Sequence, residues 1–376
     1  MPSVAETNLA WLESLSPWPE EFGLERIREL LRTLGDPQRA YPAIHVVGSN
    51  GKTTTTRLAE ALLAGEGLTI GAYTSPHVLG WSERIRVNGE EADLEAALER
   101  VRAPAEELGA TQFEVLTAAA LAEFSAAAVE VVVVEAGLGG RHDATNVLDA
   151  PVVVLTNVAL EHTDVLGETR EEIAGEKLAV LGKGAIAVLG EPEWEEAARA
   201  HGASAVVVAG QSTLALALAA AESFLGRPVD PAAADDVALP GRLERVSEAP
   251  LEIWDGAHNL GGVGWLLGRL PARRYVVVAS ILEDKDADGM LAALSAVGDA
   301  LVATASRNPR ALATENLARR AGRFFPEVEA VSDPEKALAR ARERAGESGA
   351  VLVTGSLYLL ADLATLRPAT PVPWRR

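Results

Sequence analysis

Residues 44–56, IHVVGSNGKTTTT, constrain the fold more than any other part of the sequence. The pattern predicts a strand at 43–48, a loop at 49–52 and a helix at 53–66. A strand, a glycine loop and a helix in this order direct backbone N–H groups and a helix N-terminus at one point, where phosphate can bind. The stretch therefore predicts an α/β domain with a phosphate loop. Val46, however, stands where the commonest such loop has its first glycine.

Strand-like and helix-like segments alternate along the following residues. Continuous β-branched runs at 129–137 and 150–158 predict buried strands of a parallel sheet that is covered on both faces. Shorter strands are predicted at 69–76 and 185–190. The spacing of leucines at 5–34 predicts one helix that ends at the Gly-Asp-Pro of 35–37. Further helices are predicted at 91–108, 111–128, 168–181 and 211–225.

A second α/β domain is predicted after a linker. Residues 226–236 contain two prolines and few apolar side chains, which is typical of a linker. Beyond it, short apolar runs are each followed by a polar or glycine turn and a helix. We therefore predict domains at 1–233 and 234–376, and the length of 376 residues suffices for two cores.

Composition excludes several classes of protein. A formal net charge of −20 argues against a nucleic-acid partner, because such binding depends on clustered lysine and arginine. Neither a membrane-spanning apolar run nor a secretory signal is recognisable. The absence of cysteine excludes disulfides and thiolate chemistry. We expect a cytoplasmic enzyme and, since no long apolar stripe stands out, a monomer.

Chemically useful side chains follow the predicted strands. Lys52 is placed to meet phosphate oxygens, and the hydroxyl of Thr53 to bind Mg²⁺. Glu135 ends a buried strand, where a carboxylate is costly unless it binds a cation or a hydrogen-bond donor. The carboxyl ends of parallel strands are also where ligands collect in open α/β sheets. A purely structural pair between Glu135 and Arg141 is the alternative.

Three further candidates carry weaker signals. Ser75 follows another strand, although composition alone favours a simple Ser-Pro turn. His162 follows the strand at 150–158. Lys177 lies in a mostly apolar helix of a chain with few lysines, and a lysine whose pKa is lowered becomes a nucleophilic amine. A snorkelling surface lysine is the alternative.

The second domain begins with a similar polar cluster. Arg242 lies in LPGRLERV, and Asp255 and His258 lie in IWDGAHNLGG at another strand end. An arginine brought across a cleft can neutralise the charge of a transferring phosphate. The two clusters suggest ATP held between two domains.

Taken together, the chain resembles the folylpolyglutamate synthase/dihydrofolate synthase family of the Mur ligase superfamily. The resemblance extends from about residue 8 to 361. It rests, in this order, on FGLERIRELL, HVVGSNGKTTTT, YTSPHVLGWSERIRVNG, EAGLGGRHDATN, EHTDVLG, PGR and DGAHN. It implies an N-terminal P-loop ATPase domain of Mur ligase type with a mostly parallel sheet, and a smaller C-terminal Rossmann-like α/β domain. Mur-type ligases also use the compact Gly-x-x-Gly-Lys loop found here.

The resemblance implies a role for each candidate. ATP contacts are expected from Gly48, Ser49, Asn50, Gly51, Lys52, Thr53, Thr54, Asn157, Arg242 and Asp255. Mg²⁺ ligands are expected from Thr53, Ser75, Glu135 and His162. The pterin or folate substrate is expected near Ser75, Pro76, His77, Arg84, Asp143 and Thr145. Catalytic roles are expected for Lys52, Lys177, His162, Arg242 and His258. Lys177 matches a lysine that CO₂ carbamylates, and a monovalent cation is a further candidate cofactor.

The reaction implied by the resemblance has two steps. The carboxylate of dihydropteroate or of a reduced folate attacks ATP to form an acyl phosphate, and the amine of L-glutamate then displaces phosphate. A cell-wall Mur ligase is one alternative, but it predicts a separate N-terminal nucleotide-binding domain, for which a loop at residue 48 leaves no room. A P-loop kinase or ATPase is another alternative, and would turn over ATP without glutamate. A non-catalytic nucleotide-binding module fits poorly with so many strand-end polar groups.

Overall fold

The computed structural model describes residues 7–19 and 21–367. They form two compact units that divide between Val237 and Ala238. Within these residues, every helix is too short or too polar to span a bilayer.

One sheet organises the described part of the first unit. Its strands are β1 (Ala43–Val47), β2 (Ile70–Tyr73), β3 (Ile85–Val87), β4 (Glu90–Glu91), β5 (Val131–Glu135), β6 (Val152–Leu155), β7 (Ile186–Leu189) and β8 (Ala205–Val208). Their order in the sheet is β4-β3-β2-β5-β1-β6-β7-β8. The strands from β2 to β8 in this order are parallel, while β3 and β4 add an antiparallel hairpin at one edge. The phosphate loop therefore follows a central strand.

Helices cover both faces of this sheet. They are α1 (Asn8–Ser14), α2 (Glu25–Thr33), α3 (Lys52–Gly65), α4 (Leu94–Leu108), α5 (Gln112–Ala126), α6 (Thr163–Leu166), α7 (Arg170–Leu178), α8 (Glu195–Ala200) and α9 (Thr213–Leu225). Ile44 and Val46 of β1 pack with Leu62 of α3 and Leu216 of α9 on one face. Val47 packs on the other face, in the core that also contains residues of α2, α4, α5 and α7. Burial on both faces explains the continuous apolar strands.

The predicted strands at the phosphate loop, at 129–137 and at 150–158 are confirmed as β1, β5 and β6. The prediction of one helix over 5–34 is wrong, because α1 ends at Ser14 and α2 begins at Glu25. Pro17 and Pro19 lie between the two helices, and proline cannot continue a helical hydrogen-bond ladder. The leucine spacing is real, but it belongs to two helices that bury their apolar faces in one core.

The second unit is also an α/β unit. Its described strands are β9 (Glu244–Glu248), β10 (Leu251–Trp254), β11 (Tyr275–Ala279), β12 (Gly298–Ala303), β13 (Glu327–Ala330) and β14 (Ala350–Thr354), and its described helices are α10 (Leu260–Leu267), α11 (Ala287–Leu294), α12 (Thr314–Ala321), α13 (Pro334–Ala345) and α14 (Leu357–Asp362). The sheet order is β13-β12-β11-β14-β10-β9. All neighbouring strands are parallel except β9 and β10. This unit has a hydrophobic core of its own.

Candidate active site

The phosphate loop connects β1 to α3 at the carboxyl end of the central strands. Gly48 has a φ of 142°, and a Cβ there would lie 1.9 Å from the hydroxyl oxygen of Thr156. Only glycine therefore allows the loop to approach the end of β6 so closely. The helix begins at Lys52, so that the first N–H groups of α3 are directed into the loop.

The residues after β6 hold the loop in place. The hydroxyl of Thr156 donates to the carbonyl of Asn50 at 2.8 Å, and the N–H of Asn50 donates to the side-chain oxygen of Asn157 at 2.8 Å. The N–H of Ala159 donates to the hydroxyl of Ser49 at 2.9 Å. These bonds fix the shape of the loop in the absence of a ligand, which is the preorganisation that phosphate binding requires.

The ammonium group of Lys52 lies over the loop itself. It donates to the carbonyl oxygens of Gly48 at 3.0 Å and Ser49 at 3.3 Å. Its charge is thus concentrated where a nucleotide phosphate would enter the loop. Thr53 and Thr54 follow in the first turn of α3.

Glu135 connects the phosphate loop to the end of β2. One carboxylate oxygen accepts from the hydroxyl of Thr53 and the other from the backbone N–H of Ser75, both at 3.0 Å. The residue is only 2% exposed. The structural alternative of a pair with Arg141 is wrong, because the guanidinium of Arg141 donates to Glu176 at 2.7 Å.

The described residues contain no group of three or more histidine, aspartate and glutamate side chains that could hold a metal. The hydroxyl of Thr53 and the carboxylate of Glu135 nevertheless form an oxygen pair beside the phosphate loop. Mg²⁺ typically takes one or two carboxylates and completes its shell with water and substrate phosphates. The pair therefore fits a nucleotide-dependent Mg²⁺ site better than a dedicated protein cage.

Lys177 is buried beside the loop, so the alternative of a surface lysine is wrong. It is 1% exposed, and its ammonium group donates to the carbonyl of Gly48 at 3.1 Å and to the carboxylate of Glu161 at 3.2 Å. Burial lowers the pKa of Lys177 to about 8, although Glu161 acts in the opposite direction. Burial would raise the pKa of Glu161, but the nearby Lys177 and Lys52 outweigh it and leave that pKa below its usual value.

His162 is the next residue after Glu161 and immediately precedes α6. Its backbone is in the left-handed region, with a φ of 49°. Such a conformation is uncommon for a residue other than glycine and is often found at functional sites.

The YTSPH segment is joined to the 3₁₀ turn at 81–84. Ser75 and Pro76 share a cis peptide bond, and His77 Nδ1 accepts from Arg84 Nε at 3.0 Å. The rings of His77 and Trp81 lie 4.4 Å apart, and Arg84 lies over the same indole. Burial, with a further effect of Arg84, lowers the pKa of His77 to about 3. His77 is therefore a neutral acceptor that orients Arg84.

Asp143 and Thr145 are buried within their own loop. The carboxylate of Asp143 accepts from the N–H of Leu138 at 2.7 Å and from the N–H of Thr145 at 3.0 Å. Burial raises the pKa of Asp143, although these hydrogen bonds oppose the rise. Both side chains shape the loop from inside.

The predicted residues of the second unit form their own cluster. Asp255 accepts from the N–H of Leu243 at 2.7 Å and from the N–H of Ala257 at 2.8 Å. Burial raises the pKa of Asp255, and the nearby Arg242 opposes the rise. His258 Nδ1 lies 2.8 Å from the carbonyl of Gly256. Asp255 thus fixes the two backbone segments that carry Arg242 and His258.

Sequence reasoning missed two acidic residues of the first unit. Glu161 is the partner of Lys177, and Glu191 accepts from the N–H of Val158, from Arg170 and from Trp194. Glu191 directly follows the predicted strand at 185–190. The strand-end rule that selected Glu135 was therefore able to select it too.

Comparisons with known proteins identify the family of the chain. The Mur ligase middle domain matches residues 46–225, and the Mur ligase, glutamate ligase domain matches residues 241–357. The dihydrofolate synthase/folylpolyglutamate synthase of Escherichia coli is 34% identical over an alignment that is 400 residues long with its gaps. The alignment covers 94% of this chain and 93% of the relative.

Solved structures of similar proteins cover nearly the whole chain. Escherichia coli FolC in complex with DHPP and ADP has a TM-score of 0.88 and 32% identity, covering 97% of this chain and 99% of that one. The bifunctional folylpolyglutamate synthase/dihydrofolate synthase of Yersinia pestis, complexed with AMPPNP and Mn ion, has a TM-score of 0.86 and 33% identity, with coverages of 97% and 99%. Fold, phosphate loop and relatives agree, and the chain belongs to the folylpolyglutamate synthase/dihydrofolate synthase family of ATP-dependent ligases.

Proposed function

We propose that the protein joins L-glutamate to the carboxylate of a pterin or folate at the expense of ATP. The observation that carries the proposal is the phosphate loop with Lys52 over it and the Thr53–Glu135 pair beside it. Family membership supports the same activity, since the relatives are named dihydrofolate synthase/folylpolyglutamate synthase.

The proposed reaction has two steps. An oxygen of the acceptor carboxylate attacks the γ-phosphorus of ATP, the bond to ADP breaks, and an acyl phosphate forms. The neutral amine of glutamate then attacks the acyl carbon, phosphate leaves, and the amine nitrogen loses a proton. The chain's own part is to position the reactants and offset developing charge, mainly through Lys52 and the loop N–H groups.

We propose that the divalent metal is Mg²⁺ and that Thr53 and Glu135 would hold it. Ser75 and His162 are further candidate ligands. The similar Yersinia structure contains Mn with a nucleotide analogue, which supports use of a divalent cation. Bound Mg²⁺ would neutralise phosphate charge. Glu135 and Thr53 then also fix the position of the loop relative to β2.

We also propose that Lys177 is carbamylated. Burial lowers its pKa to about 8, so that a fraction of the amine is neutral near physiological pH. The neutral nitrogen can attack CO₂, form a carbon–nitrogen bond and release one proton. The product is anionic and presents oxygen atoms beside the carbonyl of Gly48, where the amine now lies.

The remaining assignments rest on the resemblance. Arg242, Asp255 and His258 are proposed to act on the nucleotide, and loop 137–146 with Pro76, His77 and Arg84 to line the acceptor. We expect dihydropteroate or a reduced folate as the acceptor, with a monovalent cation as a further candidate cofactor. We expect a cytoplasmic monomer with no nucleic-acid partner.

The function is tested by measuring phosphate release from Mg-ATP and L-glutamate with dihydropteroate or tetrahydrofolate as acceptor. Release with dihydropteroate alone indicates a dihydrofolate synthase, and release with both indicates a bifunctional enzyme. Turnover of ATP without either acceptor contradicts the proposed substrate. Lys52→Ala should abolish turnover, while Lys183→Ala, at an exposed lysine, should keep it. Near-normal activity of Lys52→Ala would refute the role of the loop.

Carbamylation is tested with isotopically labelled bicarbonate. We expect a carbamate carbon signal in the NMR spectrum of the wild type and of Lys183→Met, and its loss in Lys177→Met. Lys177→Ala should lose turnover, and acetate, which supplies a carboxylate in place of the carbamate, should restore part of it. A fully active wild-type sample without the labelled carbamate contradicts the proposal.

A further inference from the structure

We propose that His45 is a positioning residue for loop 137–146, through Thr145 and Asp143. The inference rests on the proposed function, which places this loop against the pterin or folate acceptor. His45 would therefore control how the acceptor binds, although it is buried in the central strand and touches no substrate itself.

His45 is an unusual residue for its place. It lies in β1 between apolar neighbours and is 0% exposed, and only one ring nitrogen has a partner, Nε2 at 2.8 Å from the hydroxyl oxygen of Thr145. Nδ1 is buried with no hydrogen-bond partner in the described part of the chain. A buried imidazole with an unpaired nitrogen is costly compared with valine, which fills the next two positions of the strand. The single bond to Thr145 is the contact that offsets this cost.

The bond directions follow from Asp143. Its carboxylate accepts backbone N–H groups on both oxygens, from Leu138 and from Thr145, and also accepts the hydroxyl of Thr145. The hydroxyl proton is therefore committed to Asp143, and the Thr145 oxygen has only lone pairs left for His45. Nε2 must carry the imidazole proton. His45 therefore donates to Thr145, and Thr145 donates to Asp143.

These two hydrogen bonds connect the loop to the central strand β1. Asp143 holds the N–H of Leu138 at the start of the loop, and Thr145 lies near its end. Between them, Gly140 lies against the backbone of Glu176 and Lys177, where a Cβ would be 2.6 Å from a carbonyl oxygen. The loop is thus held against α7 at Gly140 and against β1 by the bond between Thr145 and His45. Since the phosphate loop is held by the residues after β6 instead, loss of this bond should affect the acceptor more than ATP.

The test compares steady-state kinetics of matched variants of the full chain. His45→Leu and Thr145→Val remove the bond, whereas His45→Gln keeps an N–H donor and Thr145→Ser keeps the hydroxyl. We expect the first pair to raise the KM for the acceptor about tenfold and to leave the KM for ATP within about twofold of wild type. For His45→Gln and Thr145→Ser we expect both KM values to stay near those of the wild type. The double variant His45→Leu/Thr145→Val should resemble the single variants, because both substitutions break the same hydrogen bond.

Several results would overturn the proposal. These are an unchanged KM for the acceptor in Thr145→Val, an equal rise in the KM for ATP, or additive effects in the double variant. Thr145→Val is nearly isosteric, so it carries the test if His45→Leu does not fold. A wild-type enzyme that uses neither acceptor overturns the proposed function, and with it this inference, before any variant is compared. An exchange-protected imidazole N–H signal that ¹⁵N correlation assigns to Nε2, and that is lost in His45→Gln, is the expected signature of the tautomer, whereas a proton on Nδ1 would contradict it.

Discussion

The negative charge of Glu135 can be removed by a substitution that hardly changes the shape of the side chain. Glutamine has nearly the same shape, but it is neutral and has one acceptor oxygen instead of two. In Glu135→Gln, either the hydroxyl of Thr53 or the N–H of Ser75 loses its acceptor, and the charge proposed to bind Mg²⁺ disappears. We expect the Mg²⁺ concentration for half-maximal turnover to rise roughly tenfold or more, as measured by Mg²⁺ titration at saturating ATP.

The matched control for this substitution lies just before the same strand. Glu130 is exposed and accepts from the N–H of Thr69, outside the site. Glu130→Gln should keep the wild-type dependence on Mg²⁺. If the titration of Glu135→Gln matches that of Glu130→Gln, Glu135 does not bind the metal.

Single residues also mark the limit of what the sequence can predict. Lys52 and Glu135 were predictable because Lys52 follows a strand and its glycine loop and Glu135 ends a strand, and strand ends converge at one edge of a parallel sheet. The burial of Lys177 was not, because helical spacing does not say which carbonyl a side chain will meet. Its partner Glu161 was hidden for the same reason, since a contact across 16 residues depends on how two segments pack.

At the level of elements, loop 137–146 depends on a close approach to α7. A Cβ on Gly140 would lie 2.6 Å from the carbonyl oxygen of Glu176 and 2.7 Å from that of Lys177. Gly140→Ala must push the loop and α7 apart, which moves Lys177. We expect a loss of about 1–3 kcal/mol in the free energy of unfolding, as for other overpacked sites, together with reduced turnover.

Gly175, which lies within α7, supplies the control for this prediction. A Cβ on Gly175 meets nothing within 4 Å. Alanine is the better helix former, so Gly175→Ala should stabilise the protein by about 0.5–1 kcal/mol. Urea unfolding of both variants checks the difference. Equal stabilities of Gly140→Ala and the wild type would show that the loop can move away without cost.

Elements were predictable where one pattern dominated. The β-branched runs of β5 and β6 were recognised because both faces are buried. The short strand β8 (Ala205–Val208) was missed, since it lies at the sheet edge and its four residues are mostly exposed. The break between α1 and α2 was missed because two helices that share one core keep the same leucine spacing across the break.

At the scale of the whole molecule, the buried His45 and the half-buried His77 couple stability to pH. Burial lowers the pKa of His45 from 6.5 to about 4, and burial with Arg84 lowers that of His77 to about 3. Below pH 6.5 the unfolded chain binds protons at these residues and the folded chain does not. The stability they support is therefore complete above pH 6.5 and is lost as the pH falls towards 4. The whole lowering of the His45 pKa corresponds to a change of roughly 3 kcal/mol in the free energy of unfolding between high and low pH.

Urea unfolding between pH 7 and pH 4 measures this dependence. We expect the free energy of unfolding of the wild type to fall as the pH is lowered, and His45→Gln to fall less steeply because glutamine does not titrate. His142→Gln is the control, since His142 is exposed and its replacement should leave the slope unchanged. Equal slopes for His45→Gln and the wild type would mean that His45 becomes protonated in the folded protein. Its hydrogen bond to Thr145 would then not depend on the neutral imidazole.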